Sequence, residues 1–171
     1  MKLDLRKIIH APGASVPFEF QMDLSDLDFF GARPIARPVR VSGTVKNRAG
    51  ALELRGSAAT VLELTCDRCC KRFTREMTVP LDAPVAEELA GEDSEDEYVL
   101  LDDGAVDLDE VVTSAMILGM DMKHVCSEDC KGLCPRCGAD LNLGPCGCKP
   151  DVDPRLAALA QLLDDDERQS E

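Results

Sequence analysis

Eight of the nine cysteines in this chain fall at spacings that suit metal ligation. Six of them crowd into 23 residues as Cys126-x3-Cys130-x3-Cys134-x2-Cys137-x8-Cys146-x-Cys148. Cys134-Pro135-Arg136-Cys137-Gly138 reads as a metal knuckle. A CxxC turn aims two thiolates at one ion, and the glycine behind it lets the backbone turn tightly. Cys66, Cys69 and Cys70 form a second CxxC, about 60 residues upstream. Eight thiolates make two tetrahedral zinc sites and leave Cys70 over. In one partition Cys134, Cys137, Cys146 and Cys148 close a compact site across a loop containing Asn142 and Gly144-Pro145. Cys66 and Cys69 then join Cys126 and Cys130 and clip the two halves of the chain together. In the other, Cys126, Cys130, Cys134 and Cys137 share one ion and the rest stay free. The first uses both CxxC units and leaves fewer orphans.

Four thiolates leave zinc no open position, so the expected metals are structural and no enzyme is expected. A redox role for Cys66-Asp67-Arg68-Cys69 needs a helix behind the first cysteine to lower its pKa, and a strand pattern follows instead. There are two histidines; His124 is either an ordinary surface residue or a neighbour of the metal ligands. No phosphate-binding loop, dinucleotide fingerprint or nucleophile elbow is present.

The net charge of -14 is unevenly spread. Residues 1–81 hold 13 basic and 9 acidic residues, whereas residues 82–171 hold 6 and 24. Such a chain is not a general nucleic-acid binder, because the phosphate backbone repels it. A local basic face is still available. Arg37, Arg40, Lys46 and Arg48 lie in a stretch without acids, with Arg72 at the upstream CxxC beside Arg68, Lys71 and Arg75. The set reads equally well as a phosphate-binding face or as a solvated strand face. The start of the chain lacks the apolar run of a signal peptide, and no stretch has the apolar length of a membrane span. A cytoplasmic monomer with reduced thiols is expected, where close-spaced cysteines mean metal more often than disulfides.

The elements that must position these cysteines follow from periodicity. Leu3 and Leu5, then Val16, Phe18 and Phe20, suggest one or two strands; residues 24–30 suggest a short helical turn. Val39, Val41 and Val45 alternate with polar residues, and residues 47–50 form a turn into a return strand from Leu52. Residues 57–65 run into Cys66, and Phe73, Met77 and Val79 lead out as far as Pro80, which puts the upstream CxxC at a hairpin tip. Residues 82–110 carry 13 acids and no Lys or Arg, with an expected mobile loop at 91–97. Asp107 and Glu110 suggest a capping box for a helix over 107–120, with Leu108, Val111, Val112, Ala115, Leu118 and Met122 at helical spacing. Asp153-Pro154 starts a second helix with Leu156, Leu159, Ala160 and Leu163 on one face. The expected fold is α+β: a small antiparallel β barrel or sandwich, a C-terminal helix and a cysteine-rich zinc-binding module. The expected division is a β-rich domain over 1–90, an acidic loop and linker strand over 91–106, and the helix, cysteine module and C-terminal helix over 107–171.

The order of these features resembles the YceD-like family, the large ribosomal RNA subunit accumulation proteins of bacteria and plastids. The carrying residues are Leu64-Thr65-Cys66-Asp67-Arg68-Cys69 with Phe73, the acidic loop, Asp107-Leu108, the run from Cys130 to Asn142, and Asp153-Pro154-Arg155 with the helix to Leu163. Position 70 departs from the family, which more often carries an aliphatic residue or glycine there. Some members lack the Cys134–Cys148 module but keep the first CxxC and the cysteine at position 130, which implies two separable sites. The resemblance implies metal binding, suggests nucleic-acid binding, and implies a part in processing or accumulation of large-subunit ribosomal RNA without enzymatic activity. The partner is then ribosomal RNA or a ribosome-assembly protein. A pure protein-interaction adaptor and a thiol or metal sensor using Cys66, Cys69 and Cys70 are the alternatives.

Overall fold

Alternating apolar and polar residues give the chain its principal layer. A computed structural model describes residues 1–87 and 98–148. The expected acidic loop at 91–97 and the second helix from Asp153 lie outside the described residues. The elements are β1 (Lys2–Asp4), α1 (Arg6–Ile9), β2 (Ser15–Met22), β3 (Val39–Arg48), β4 (Ala51–Thr65), β5 (Arg72–Ala86), β6 (Val99–Leu100), β7 (Ala105–Asp107) and α2 (Leu108–Leu118). Strands β2-β3-β4-β5-β6 form one sheet, antiparallel except for the parallel β5–β6 pair, and β1 pairs with β7 in a separate ribbon.

The sheet is open, not a barrel: β2 and β6 are its edges and do not pair with each other. Closure would need the first and last strands to meet, and the two-residue β6 offers little edge to meet. The residues at 24–30 form turns, not a helical one. Asp23 accepts the Ser25 N–H at 2.9 Å, Asp28 accepts the Gly31 N–H at 3.0 Å, and Phe30 takes a left-handed φ of 52°. Strand β5 runs through Pro80, where the sequence suggested a stop. Proline is tolerated because the outer edge of β5 is covered only at Val85 and Ala86, so no ladder needs its missing N–H there.

Val39, Val41 and Val45 point inward from β3, and Leu52, Leu54, Ala58, Leu62 and Leu64 from β4. The β3–β4 turn puts Ala49 and Gly50 at φ 54° and 100°, the two positive values that a two-residue primed turn requires. Buried Asn47 accepts the Gly50 N–H at 2.8 Å and donates to the carbonyls of Ile8 and Ile9 at 2.7 and 2.8 Å, which seats α1 against the sheet. Helix α2 covers the inner face: Leu108, Val112, Met116 and Met120 are buried, and a Cβ on Gly119 would sit 2.9 Å from Val79 Cγ2. The buried ridge is therefore the i, i+4 row. Leu118 and Met122, expected on the apolar face, are 86% and 81% exposed, because Met122 falls beyond the helix end and Leu118 lies off the ridge. Asp107 caps α2 by accepting the Asp109 N–H. The helix thus ends over β5 and hands the chain to the tip of the β4–β5 hairpin.

Candidate metal centre

The two CxxC segments fold into the same local shape. In the hairpin tip, the Cys70 N–H donates to the Cys66 carbonyl at 2.9 Å and the Cys66 N–H to the Lys71 carbonyl at 2.9 Å. In the C-terminal module, the Gly138 N–H donates to the Cys134 carbonyl at 2.9 Å and the Cys134 N–H to the Ala139 carbonyl at 2.8 Å. The residue after the second cysteine is left-handed in both, φ 57° at Cys70 and 72° at Gly138. Cys70 thus holds the position that glycine holds in the other knuckle, and its thiol joins neither cluster.

The fold gathers the cysteine sulfurs into two groups of four: Cys66, Cys69, Cys126 and Cys130, and Cys134, Cys137, Cys146 and Cys148. Within each group all sulfurs lie within 4.8 Å of one another. None is in a disulfide. Cys66 and Cys130 sulfurs are 3.8 Å apart, and those of Cys69 and Cys126 3.7 Å. Zinc–sulfur bonds of about 2.3 Å in a tetrahedron put the sulfurs about 3.8 Å apart, so the first tetrad has the dimensions of a four-thiolate site. A disulfide needs about 2.05 Å. Either tetrad could hold a metal ion. The alternative grouping of Cys126 and Cys130 with Cys134 and Cys137 does not form.

Electrostatics favour a cation in both places. Burial pushes the Cys66 thiol up, but the N–H groups of Cys126, Cys69 and Arg68 outweigh it and bring the pKa down to about 6. The Cys126 N–H lies 3.4 Å from this sulfur. Around Cys69 a hydrogen bond from the Lys71 N–H pulls down, yet burial and the neighbouring Cys66, Cys130 and Cys126 push the pKa up to about 12. Burial chiefly raises Cys126 as well. The second tetrad repeats the contrast. The N–H groups of Cys137 and Arg136 lower Cys134 to about 6, while Cys137, burial and Cys134 raise Cys148 to about 12. One thiol of each set ionises readily and another resists the negative charge beside it. A divalent cation removes that conflict and makes all four thiolates stable together.

Residues between and beside the cysteines fasten the first tetrad. Asp67 accepts the His124 N–H at 2.6 Å and returns its own N–H to the His124 carbonyl at 2.8 Å. Arg68 Nη1 donates to the carbonyls of Cys130 and Glu128 at 2.8 and 3.2 Å. Arg75 bonds the Val125 carbonyl at 2.7 Å and Asp121 at 3.1 Å, with its guanidinium 5.4 Å from the Phe73 ring centre. Arg68 and Arg75 therefore serve as clasps, not as members of an open phosphate-binding row. Their position at the hairpin tip hinted at this, but the carbonyls they bind lie about 50–60 residues away and leave no local signal.

The structure does not gather the other basic residues into one patch. Arg40, Lys46 and Arg48 are exposed at alternate positions of β3. Arg48 lies opposite Ala51 and Arg72 opposite Thr65, at the two ends of β4. At about 3.3 Å per residue the ends of that strand are roughly 46 Å apart. Arg48 is also paired with Glu53 at 2.9 Å, and Glu53 meets Arg55 as well. Among the described residues no ion pair engages Arg37, Arg40, Lys46 or Arg72.

The family described as large ribosomal RNA subunit accumulation protein YceD matches residues 54–163. An uncharacterized protein of Mycobacterium tuberculosis is 31% identical over 167 residues, spanning 94% of this chain and 73% of the relative. The chloroplastic large ribosomal RNA subunit accumulation protein YCED homolog 1 of Zea mays is 32% identical over 155 residues, 72% of this chain and 53% of the relative. An uncharacterized protein of Bacillus subtilis is 28% identical over 177 residues, 98% of this chain and 99% of the relative. No solved structure matches the chain. With two CxxC knuckles in place and the family match running from Leu54, near the start of β4, past both tetrads, this chain belongs to the YceD family of large ribosomal RNA subunit accumulation proteins.

Proposed function

We propose that this protein is a non-enzymatic zinc protein that assists large-subunit ribosomal RNA processing or accumulation, and so ribosome assembly. The observation that carries the reading is the pair of four-cysteine clusters in a chain of this family. Two zinc ions, one per tetrad, act as staples: the first ties the segment after α2 to the β4–β5 tip, and the second closes the C-terminal knuckle. Four thiolates per ion leave no position for water or substrate, so the metals shape the protein instead of reacting. No small-molecule substrate is needed. The compartment is the cytoplasm, where thiols stay reduced; the maize relative's name places that protein in the chloroplast.

The partner is ribosomal RNA. Arg37 just before β3, Arg40 and Lys46 along it and Arg72 at the hairpin tip are the phosphate contacts, spaced along the sheet as an extended backbone would meet them, with Arg48 adding less because Glu53 holds it. The acidic balance of residues 82–171 supports a second reading, an adaptor that meets a basic assembly protein. One series separates them. Elemental analysis gives two zinc ions per chain, and filter binding across salt concentration is compared for wild type and for a variant with Arg37, Arg40, Lys46 and Arg72 reversed to Glu. RNA contact predicts salt-dependent binding by the wild type. The reversed variant then loses binding with zinc unchanged, and each lost contact lowers the salt slope by about one unit. A flat wild-type series leaves the adaptor.

A further inference from the structure

Asn142 belongs to the loop of the second tetrad but reaches the first. Its Nδ2 lies 3.6 Å from the Cys130 sulfur and 2.6 Å from Asp140 Oδ1. Its Oδ1 accepts the Lys131 N–H at 2.7 Å, and its own N–H donates to Asp140 at 2.9 Å. A backbone N–H can only donate, so the amide oxygen must face Lys131 and the amide NH2 must face the sulfur. A thiolate accepting such a bond is stabilised, in the manner of the outer partners that orient metal ligands.

The segment between the tetrads is gripped from both sides. The Leu133 N–H donates to the Arg68 carbonyl at 3.0 Å, and the Leu141 N–H to the Gly132 carbonyl at 2.9 Å. Gly132 is left-handed, φ 76°, and a Cβ there would stand 2.9 Å from the Arg68 carbonyl oxygen. Cys130 and Cys134, one ligand of each tetrad, are the two ends of this short stretch. The loop that carries Asn142 has no core of its own, because none of residues 135–148 is buried. The bonds from Lys131 to Asn142 and from Leu141 to Gly132 are exposed or part-exposed and have no buried side chain of the loop behind them. They need the four thiolates at 134, 137, 146 and 148 to keep the loop closed, so the place of Asn142 depends on the second tetrad.

We propose that Asn142 couples the two cysteine tetrads: metal in the second closes the loop, and the closed loop presents the Asn142 amide to the Cys130 thiolate and strengthens the first. Asn142 is thus a positioning residue, and the inference rests on the zinc reading above. The coupling is reciprocal, so metal in the first tetrad also favours loading of the second.

The test uses the full chain loaded with 113Cd2+ and read by cadmium NMR during removal of metal by excess EDTA. The wild type gives two resonances, and Cys137→Ser, which breaks the second tetrad, retains the one that belongs to the first. Asn142→Ala and Asn142→Asp are expected to release the first-tetrad ion about ten-fold faster or more. The Asp variant is the worse of the two, because it turns a carboxylate toward the thiolate. Cys137→Ser shows the same acceleration, and Asn142→Ala added to it changes nothing further. Two resonances with unaltered first-tetrad release in both Asn142 variants, or a Cys137→Ser first site as slow as wild type, overturn the coupling alone. No cadmium resonance in the wild type overturns the metal reading itself.

Discussion

Cys70 is the residue whose role changes most once the backbone is seen. By sequence it is a spare thiol beside a CxxC. In the fold it is the left-handed residue that closes the first knuckle, matched by Gly138 in the second, and its side chain is exposed. A residue with a Cβ costs about 1–2 kcal/mol in that conformation, whereas glycine adopts it freely. Cys70→Gly should therefore keep both metals and stabilise the protein by about 1 kcal/mol, read as a higher urea midpoint at unchanged slope. Cys70→Val, β-branched at the same φ, should shift the midpoint the other way. If glycine lowers the midpoint instead, the thiol has a partner and the bystander role is wrong.

At the scale of elements, the β4–β5 hairpin is a long lever whose tip carries half of the first tetrad and both clasps. The pattern of alternating residues located the hairpin, and the CxxC located its tip. Neither revealed that Arg68 and Asp67, the residues inside the CxxC, would bond the chain at Cys130, Glu128 and His124. Truncating the clasp should loosen that segment without touching the sheet. Arg68→Ala leaves the Cys130 and Glu128 carbonyls without this donor, a loss of about 1–3 kcal/mol each at most and less where water replaces it. Hydrogen exchange should then quicken at residues 126–133 by about ten-fold or more while the β3 and β4 amides keep their protection. Equal acceleration in the sheet would mean that the clasp supports the whole fold. Helix α2 shows a similar limit of pattern reading. Its cap and span were legible, but the stripe that packs is set by where β5 lies, and Leu118 stays outside it.

For the whole molecule, the principal core and the cysteine cluster share no buried residue and meet at Phe73, which packs against both. The large cluster draws on β2 to β5, β7, α1 and α2 and takes no residue from 126–148, while Cys66, Cys69 and Cys130 form their own small cluster with Phe73, Val125 and Leu133 beside it. Stripping the metal should therefore leave the strand signal in far-ultraviolet circular dichroism in place and abolish exchange protection over 124–148, since that segment buries too little to fold alone. Loss of the strand signal on chelation would show that the metal holds the sheet as well. The sequence by itself determined what depends on near neighbours. Each CxxC is a knuckle because its turn is local, β3 is a strand because alternation is local, and the Asp107 cap is written in adjacent residues. Only the tertiary structure decided what depends on distant ones. It joined Cys66 and Cys69 to Cys126 and Cys130, and left Cys134 to Cys148 as a second set, because α2 ends over β5 and delivers the chain to the hairpin tip. It also left the sheet open and separated Arg48 from Arg72, because strand register, not sequence proximity, sets which charges stand side by side.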